Sequence, residues 1–159
     1  MTGFSGKIDL PAPVREAIAC LEAHGHTAWA VGGGVRDSLR GVTPHDWDLT
    51  TSALPDETSA ALAAYEVYPT GLRHGTVTAK IDGMALEITT YRTEKGYTDG
   101  RHPDKVDFVA NIEDDLLRRD FTVNAMAYHP ERGLCDPFGG QSDLQNGLIR
   151  AVGDPDARF

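Results

Sequence analysis

The segment HDWDLTTSALP, residues 45–55, constrains the fold more than any other stretch of the sequence. Its polar and apolar residues alternate at the start, which is the pattern of a strand with one packed face and one open face. Asp46 and Asp48 would lie side by side on the open face, while Trp47 and Leu49 would enter a core. Two like charges at that spacing repel each other unless something positive lies between them. The segment therefore predicts a strand whose open face holds a cation.

The bulk composition is that of an ordinary globular domain. The chain has 159 residues, of which 40% are hydrophobic and 25% charged, which is enough for one domain with its own core. The net charge of −9 argues against a general nucleic-acid coat, because phosphate contacts need a basic surface. No apolar run reaches the ~20 residues of a membrane span, and the N-terminus lacks a secretory signal pattern. We expect a soluble, cytoplasmic protein.

Hydrophobic periodicity predicts an α/β (α+β) domain. Helices are predicted over 14–25, 32–41, 55–65 and 112–120, and strands over 27–31, 46–52, 66–70, 76–82, 84–91 and 105–110. Asp82 and Gly83 predict a hairpin turn. The polar segment 94–105 predicts a mobile loop, and 137–159 an irregular tail. We expect a mixed sheet of about five strands, flanked by helices.

The three glycines at 32–34 follow a predicted strand and open a predicted helix. A glycine turn at that place lets a phosphate approach backbone N–H groups. The signal is weak by itself, because neither GxGxxG nor GxxxxGK[ST] is present. Arg36 follows in the first helical turns, where it could support a phosphate. A surface charge pair that involves Asp37 is the plain alternative.

Glu87 is the best candidate for a third carboxylate beside Asp46 and Asp48. Leu86 and Ile88 flank it and have core character, so Glu87 is predicted to face the open side of its strand. Carboxylate oxygens suit a shared pair of Mg²⁺ ions. Two metals about 3.5–4 Å apart can activate a hydroxyl nucleophile and stabilise a leaving pyrophosphate. A D-x-D pair also occurs on ordinary solvated strands, so the motif is not decisive alone.

The segment RRDFTVNA, 118–125, places two arginines after a predicted helix. Arg118 and Arg119 could meet a triphosphate through charge-assisted hydrogen bonds. Asp120 and Asn124 could orient an arginine or bond a ribose hydroxyl. The alternative is a helix C-terminus whose cations suit the helix dipole.

In their order and spacing, these motifs resemble those of the class II tRNA nucleotidyltransferases, the CCA-adding enzymes, and the related bacterial poly(A) polymerases. The motifs are GGGVRD (32–37), DWD (46–48), RHGTVT (73–78), EITTYR (87–92), GRHP (100–103), RRDFTVNAMAY (118–128) and DPFGG (136–140). Each motif is weak alone, whereas their order is highly specific. The resemblance covers roughly residues 14 to 159.

The resemblance implies catalytic and metal-binding roles for Asp46, Asp48 and Glu87, with two Mg²⁺ ions, or Mn²⁺, as the cofactor. It implies nucleotide-binding roles for a further set: Gly33, Gly34, Arg36, Arg119, Asp120 and Asn124. Segment 94–105 resembles the flexible loop that helps to switch from C to A addition. The RHGTVT turn, with its Arg73 and His74, resembles CCA-adding enzymes more than poly(A) polymerases.

The function implied by the resemblance is template-independent addition of CMP and AMP, from CTP and ATP, to the 3′ end of tRNA by two-metal phosphoryl transfer. A poly(A) polymerase head is the close alternative, since it differs only in its product. A non-catalytic Mg-nucleotide-binding module that needs a second chain is an alternative from another class.

The resemblance also implies one catalytic head domain, residues 1–159, without the neck, body and tail of the family. The base-selecting E-D-x-x-R motif of the family neck does not occur within residues 1–159. We therefore expect impaired base selection and weak tRNA binding. We also expect self-association through apolar residues of the neck contact, namely Leu148, Ile149, Val152 and Phe159.

Overall fold

The computed structural model describes residues 8–44, 46–71, 75–95, 105–108 and 111–152. The helices are α1 (Ala12–Ala23), α2 (Gly33–Leu39), α3 (Pro55–Ala61), α4 (Ile112–Leu117), a 3-10 helix (Thr122–Asn124) and α5 (Gly140–Gln145). The strands are β1 (Ala28–Val31), β2 (Trp47–Thr51), β3 (Glu66–Gly71), β4 (Thr76–Ile81), β5 (Met84–Thr90), β6 (Arg92–Lys95), β7 (Lys105–Phe108), β8 (Ala127–His129) and β9 (Gly133–Cys135).

Seven strands form one mixed sheet in the order β3-β4-β5-β2-β1-β8-β9. The β2–β5 pair is parallel, and the other neighbouring pairs of this sheet are antiparallel. β6 and β7 form a separate antiparallel pair. The predicted mixed sheet with flanking helices is confirmed, and it has more strands than the five expected.

Three elements near the end of the described chain escaped prediction. β8 and β9 have three residues each, which is too short for an alternating pattern to stand out. The predicted irregular tail contains α5, whose N-terminus is fixed by the Asp136 carboxylate. That carboxylate accepts hydrogen bonds from the backbone N–H groups of Gly140 (2.6 Å) and Gln141 (2.9 Å). A side-chain contact of this kind leaves no hydrophobic period in the sequence.

Other boundaries shift by a few residues. The hairpin turn at Asp82 and Gly83 is confirmed, since both residues have positive φ angles, 51° and 84°. The predicted loop 94–105 is shorter at both ends, because residues 94, 95 and 105 belong to β6 and β7. Its centre, 96–104, lies outside the described residues.

The sheet carries apolar clusters on both faces. The larger cluster joins strand residues to α1, α2 and α3. Its buried strand members are Ala28, Ala30, Trp47, Leu49, Val77, Ala79, Ile81, Leu86, Ile88 and Tyr128. The smaller cluster, on the other face, joins Trp29, Val31 and Ala127 to α4. Asp48 and Glu87 belong to this second face by strand alternation, and both are exposed.

The parallel register of β2 and β5 is fixed at the ends of the two strands by hydrogen bonds of side chains and backbone. Thr50 Oγ1 donates to the Thr89 carbonyl at 3.1 Å, and Thr90 Oγ1 donates to the Ala53 carbonyl at 2.6 Å. The Tyr91 N–H donates to the Thr51 carbonyl at 2.7 Å. A slip of one residue would turn every side chain of the strand to the opposite face. These bonds therefore hold the site residues on the open face.

The apolar residues expected to be exposed at residues 148–159 divide into two groups. Leu148 and Ile149 are 47% and 72% exposed. Val152 was predicted wrongly, because it is fully buried in the smaller cluster. Phe159 lies outside the described residues.

No helix within the described ranges is long and apolar enough to cross a membrane.

Gly34 provides a test of how α2 packs on the sheet. A Cβ atom at Gly34 would lie 2.7 Å from Cε3 of the buried Trp47 ring, which is closer than real contacts allow. We expect Gly34→Ala to lower the free energy of unfolding by about 1–3 kcal/mol through overpacking, measured by urea denaturation. Gly33→Ala, one residue earlier in α2, is the matched control. Its Cβ would meet only the flexible end of Arg36, at 3.3 Å.

Equal losses of stability in the Gly34 and Gly33 variants would contradict this account of the packing. The Gly33 variant is expected to be neutral or slightly more stable, because alanine favours a helix over glycine by up to about 1 kcal/mol.

Candidate active site

Three carboxylates converge on the open face of the sheet. Asp48 is the direct partner of Glu87 in the parallel register of β2 and β5. Partners on neighbouring strands share a face and lie about 4.8 Å apart. Asp46 comes two residues before Asp48, just ahead of β2, and is exposed. The sheet thus brings together the three residues that the sequence singled out as metal ligands.

The environment of Asp48 disfavours its negative charge. Partial burial raises the pKa of the Asp48 carboxyl first, and the nearby charges of Glu87 and Asp46 raise it further. The Arg119 guanidinium lowers the same pKa and offsets only part of this rise. A carboxylate in such surroundings is stabilised by an additional cation. The donor set, three carboxylates within reach of one another, fits a hard, oxygen-seeking divalent ion.

Arg119 is the cation whose charge lowers the pKa of Asp48. Its Nη2 donates to the carboxylate of Asp115 at 3.1 Å, and its side chain is only 16% exposed. Burial and the neighbouring Arg118 lower the pKa of Arg119, while Asp115 and Asp48 raise it. The guanidinium is therefore held between a buried anion and the exposed carboxylate cluster.

Gly32, rather than the two glycines after it, faces this cation. A Cβ atom at Gly32 would lie 3.8 Å from Asp48 Oδ2 and 4.0 Å from Arg119 Nη1. Its φ of 73° also disfavours other residues. Gly33 is half-buried beside Arg36, and the bare side of Gly34 lies against Trp47. Sequence analysis missed Gly32 because a GGG run does not reveal which glycine faces the site.

Arg36 and Asn124, both predicted to bind nucleotide, are bonded to each other. Arg36 Nη1 donates to Asn124 Oδ1 at 2.8 Å, and Arg36 Nε donates to Asp37 Oδ1 at 3.1 Å. The Arg36 side chain remains 33% exposed. This bond connects α2 to the 3-10 helix across 88 positions of the sequence. The plain alternative for Arg36, a charge pair with Asp37, is therefore present, and the bond to Asn124 was not predicted.

The segment around Asp120 is held in place by hydrogen bonds to Asp143, which is itself bound by Arg150. Asp120 is exposed, and its carboxylate accepts from the Phe121 N–H at 2.8 Å. Next to it, Thr122 Oγ1 donates to the buried carboxylate of Asp143 at 2.6 Å. Arg150 binds the same carboxylate through Nε at 3.1 Å and Nη2 at 2.5 Å, and these bonds hold the Asp143 pKa below its usual value.

Gly140 of the DPFGG motif also serves this attachment. A Cβ atom at Gly140 would clash with the carbonyl oxygen of Thr122, so only glycine allows α5 to pack directly on the 3-10 helix. Sequence analysis quoted the motif without this reason, because it depends on a contact between distant segments.

A second group of possible metal ligands lies elsewhere, at Glu22, His129 and Glu131. The ring of His129 is already occupied by hydrogen bonds. Its Nδ1 accepts from the N–H groups of Glu131 (3.0 Å) and Arg132 (3.2 Å), which assigns the proton to Nε2. Nε2 lies 2.8 Å from a carboxylate oxygen of Glu22. Neither ring nitrogen offers a lone pair to a metal, so the group is a structural contact between α1 and β8.

Arg73 and His74, and segment 96–104, lie outside the described residues.

The raised pKa of Asp48 yields a prediction about stability. The folded protein binds the Asp48 proton more tightly than the unfolded chain, in which the ordinary value is 3.8. The contribution of Asp48 to the free energy of unfolding is therefore fully present below pH 3.8, the unfolded-state pKa. It is lost as the pH rises through the raised pKa of the folded state. Asp48→Asn removes this loss, so we expect its Tm at pH 7 without divalent ions to exceed that of the wild type by roughly 2–4 °C.

Asp56→Asn, an exposed acid at the start of α3, is the matched control and should not raise the Tm. A Tm for Asp48→Asn at or below that of the wild type, at both pH 7 and pH 4, would show that the folded protein does not disfavour the charge of Asp48.

The whole chain was compared with known proteins. The family model described as "Poly A polymerase head domain" matches residues 28–150. The CCA-adding enzyme of Lactobacillus helveticus is 52% identical over 139 residues, which are 87% of this chain and 34% of that protein. The CCA-adding enzyme of Geobacillus thermodenitrificans is 48% identical over 150 residues, 92% of this chain and 37% of that protein.

Solved structures agree with the sequence relatives. The crystal structure of the Bacillus stearothermophilus CCA-adding enzyme in complex with CTP has a TM-score of 0.83 and 38% identity, and the match covers 94% of this chain and 36% of that one. The chain thus spans about a third of the length of the relatives it matches. Its fold, its ordered motifs and the family match agree, and the chain belongs to the poly A polymerase head domain family, as its motifs implied.

Proposed function

We propose that this chain is the catalytic head of a nucleotidyltransferase that adds CMP and AMP, from CTP and ATP, to the 3′ end of tRNA. The observation that carries the proposal is the convergence of Asp46, Asp48 and Glu87 on an open sheet face beside the buried cation Arg119. The relatives named CCA-adding enzymes, 52% and 48% identical, support this substrate. A tRNA substrate in turn supports a cytoplasmic location.

Asp46, Asp48 and Glu87 would hold Mg²⁺, with two ions as the expected number and Mn²⁺ as a substitute. The fit rests on the chemistry of the donors, because three carboxylates repel one another and offer oxygen ligands. When bound, the ions would activate a hydroxyl and neutralise phosphate charge. The remaining contributions come from the side chains of the chain itself.

The cations and polar groups around the carboxylates suit a triphosphate and its ribose. The Arg36 side chain remains partly exposed. A Cβ atom at Gly33 would lie 3.3 Å from Arg36 Nη2, so the absence of a side chain at Gly33 leaves this edge of the guanidinium open. Arg119 presents its Nη1 toward Asp48. We propose nucleotide contacts for these residues and for the remaining predicted ones: Gly34, Asp120 and Asn124.

In the proposed reaction, the oxygen of the RNA 3′-hydroxyl attacks the α-phosphorus of CTP or ATP. A new P–O bond forms, the bond to pyrophosphate breaks, and the hydroxyl proton leaves to solvent. The contribution of the protein is positioning and electrostatic stabilisation. Arg119 and Arg36, bonded to Asp115 and to Asn124, are oriented before substrate arrives and can stabilise charge that develops on the phosphates without rearranging.

Two alternatives remain as outcomes of the test. A poly(A) polymerase head is favoured by the description of the family itself. A non-catalytic nucleotide-binding module is disfavoured, because pure binding gives no reason for three converging acids whose repulsion raises the pKa of Asp48. We also propose that residues 1–159 form a single head domain.

The test is an extension assay with tRNA that lacks its 3′ CCA, Mg²⁺, and labelled CTP and ATP supplied separately and together. We expect nucleotide addition that falls by at least about 100-fold in the Asp46→Ala, Asp48→Ala double variant. Asp56→Ala, on α3, is the control and should keep full activity. Disordered addition would agree with the expected weakness in base selection, and ordered CCA addition would contradict that expectation.

Extension that survives in the double variant would overturn the proposed site. A long homopolymer made from ATP alone would favour the poly(A) polymerase. Absence of extension, with Mg-dependent binding of triphosphate, would favour the binding module.

A further inference from the structure

We infer that Asp115 is a positioning residue of this site: it holds the Arg119 guanidinium away from Asp48, so that the carboxylate cluster stays open to a divalent cation. The inference rests on the proposed function, because it concerns the metal site assigned above. Asp115 itself lies on α4 and belongs to none of the motifs that identified the site.

Asp115 is fully buried and yet makes three hydrogen bonds. Its Oδ1 accepts from the Arg92 backbone N–H at 3.0 Å and from Arg118 Nε at 3.4 Å. Its Oδ2 accepts from Arg119 Nη2 at 3.1 Å. A carboxylate without solvent stays ionised only when such partners compensate the loss of water. The Asp115 carboxylate, bonded by three donors, therefore lies at one end of Arg119.

The other end of Arg119 faces the cluster. Nη1 and Asp48 Oδ2 lie 4.0 and 3.8 Å from the position that a Cβ would have at Gly32. Since Gly32 has no side chain, no side-chain atom of that residue separates the two groups. Arg119 Nε is buried and has no hydrogen-bond partner among the described residues. Within the described part of the chain, Asp115 is thus the one hydrogen-bond acceptor that fixes this guanidinium.

A guanidinium and a metal ion compete for the same carboxylate oxygens. A free Arg119 would form an ion pair with Asp48, which already experiences its positive charge. Neutralising Asp115 would release Arg119 and would also leave its charge uncompensated near the cluster. Both effects weaken the binding of a divalent cation.

The test is the affinity of the 159-residue chain for Mn²⁺, measured by electron paramagnetic resonance without nucleotide. We expect Asp115→Asn, which keeps the shape and removes the charge, to bind Mn²⁺ about tenfold more weakly. Asp114→Asn, the neighbouring exposed acid on α4, removes the same charge from the surface. We expect it to change the affinity by less than about twofold, because solvent screens exposed charges.

A double-mutant cycle separates positioning from a general structural effect. If Asp115 acts through Arg119, then Asp115→Asn should leave Mn²⁺ affinity unchanged in an Arg119→Gln background. A loss of the same size in both backgrounds would show that Asp115 merely supports the fold, and would overturn the inference.

Arg119→Gln alone carries the test if Asp115→Asn fails to fold. Because Asp115 already restrains Arg119 in the wild type, removing the guanidinium should raise Mn²⁺ affinity by less than about threefold. A tenfold rise would mean that Arg119 competes with metal in the wild type, and would overturn the inference.

Different results would contradict the metal site and the positioning role of Asp115. Unchanged Mn²⁺ affinity in a folded Asp115→Asn variant would overturn the role of Asp115 and leave the metal site standing. If the wild type does not bind Mn²⁺, or if Asp48→Asn binds it as tightly as the wild type, the proposed metal site is wrong. The role of Asp115 is then wrong as well.

Discussion

The parallel pairing of β2 with β5 is the constraint on which the rest of the site depends. Its register places Asp48 directly beside Glu87, and in an otherwise antiparallel sheet it requires a crossover through α3, β3 and β4. On the opposite face, Trp47 packs against the bare side of Gly34, which allows α2 to lie on the same strand. One strand thus serves the core with one face and the chemistry with the other.

The sheet places the carboxylates of Asp48 and Glu87 side by side on neighbouring strands, an arrangement that lowers the stability of the fold. Charged groups of like sign on neighbouring strands are destabilising, and the pKa of Asp48 is raised first by its partial burial and then by the charges of Glu87 and Asp46. The structure offsets this destabilisation with a second layer of charge, in which Arg119 lies between the cluster and the buried Asp115. The alternation of negative, positive and negative groups leaves the outermost carboxylates incompletely compensated, which is the condition under which a bound cation would be favourable.

The sequence was sufficient where the signal was local. Alternation around Trp47 and around Glu87 predicted which side chains enter the core and which face the site, since a strand repeats every two residues. The hairpin at Asp82 followed from turn chemistry alone. The mixed sheet followed from the order of helices and strands.

Sequence reasoning failed where a contact joins distant segments. The role of Gly32 depends on a cation from position 119, and the burial of Val152 depends on a backbone bond to Asp120. Asp115 stands among the acids of IEDDLLRRD, and its sequence context does not distinguish its buried, hydrogen-bonded carboxylate from that of the exposed Asp114. β8 and β9 were too short to leave a period.

The most direct test of the central claim is the location of bound metal. We would measure Mn²⁺ anomalous scattering from crystals of the protein soaked with Mn²⁺ and CTP. The account predicts anomalous density within coordination distance of the carboxylates of Asp48 and Glu87. Density at Glu22 and His129, or none at Asp48, would contradict it.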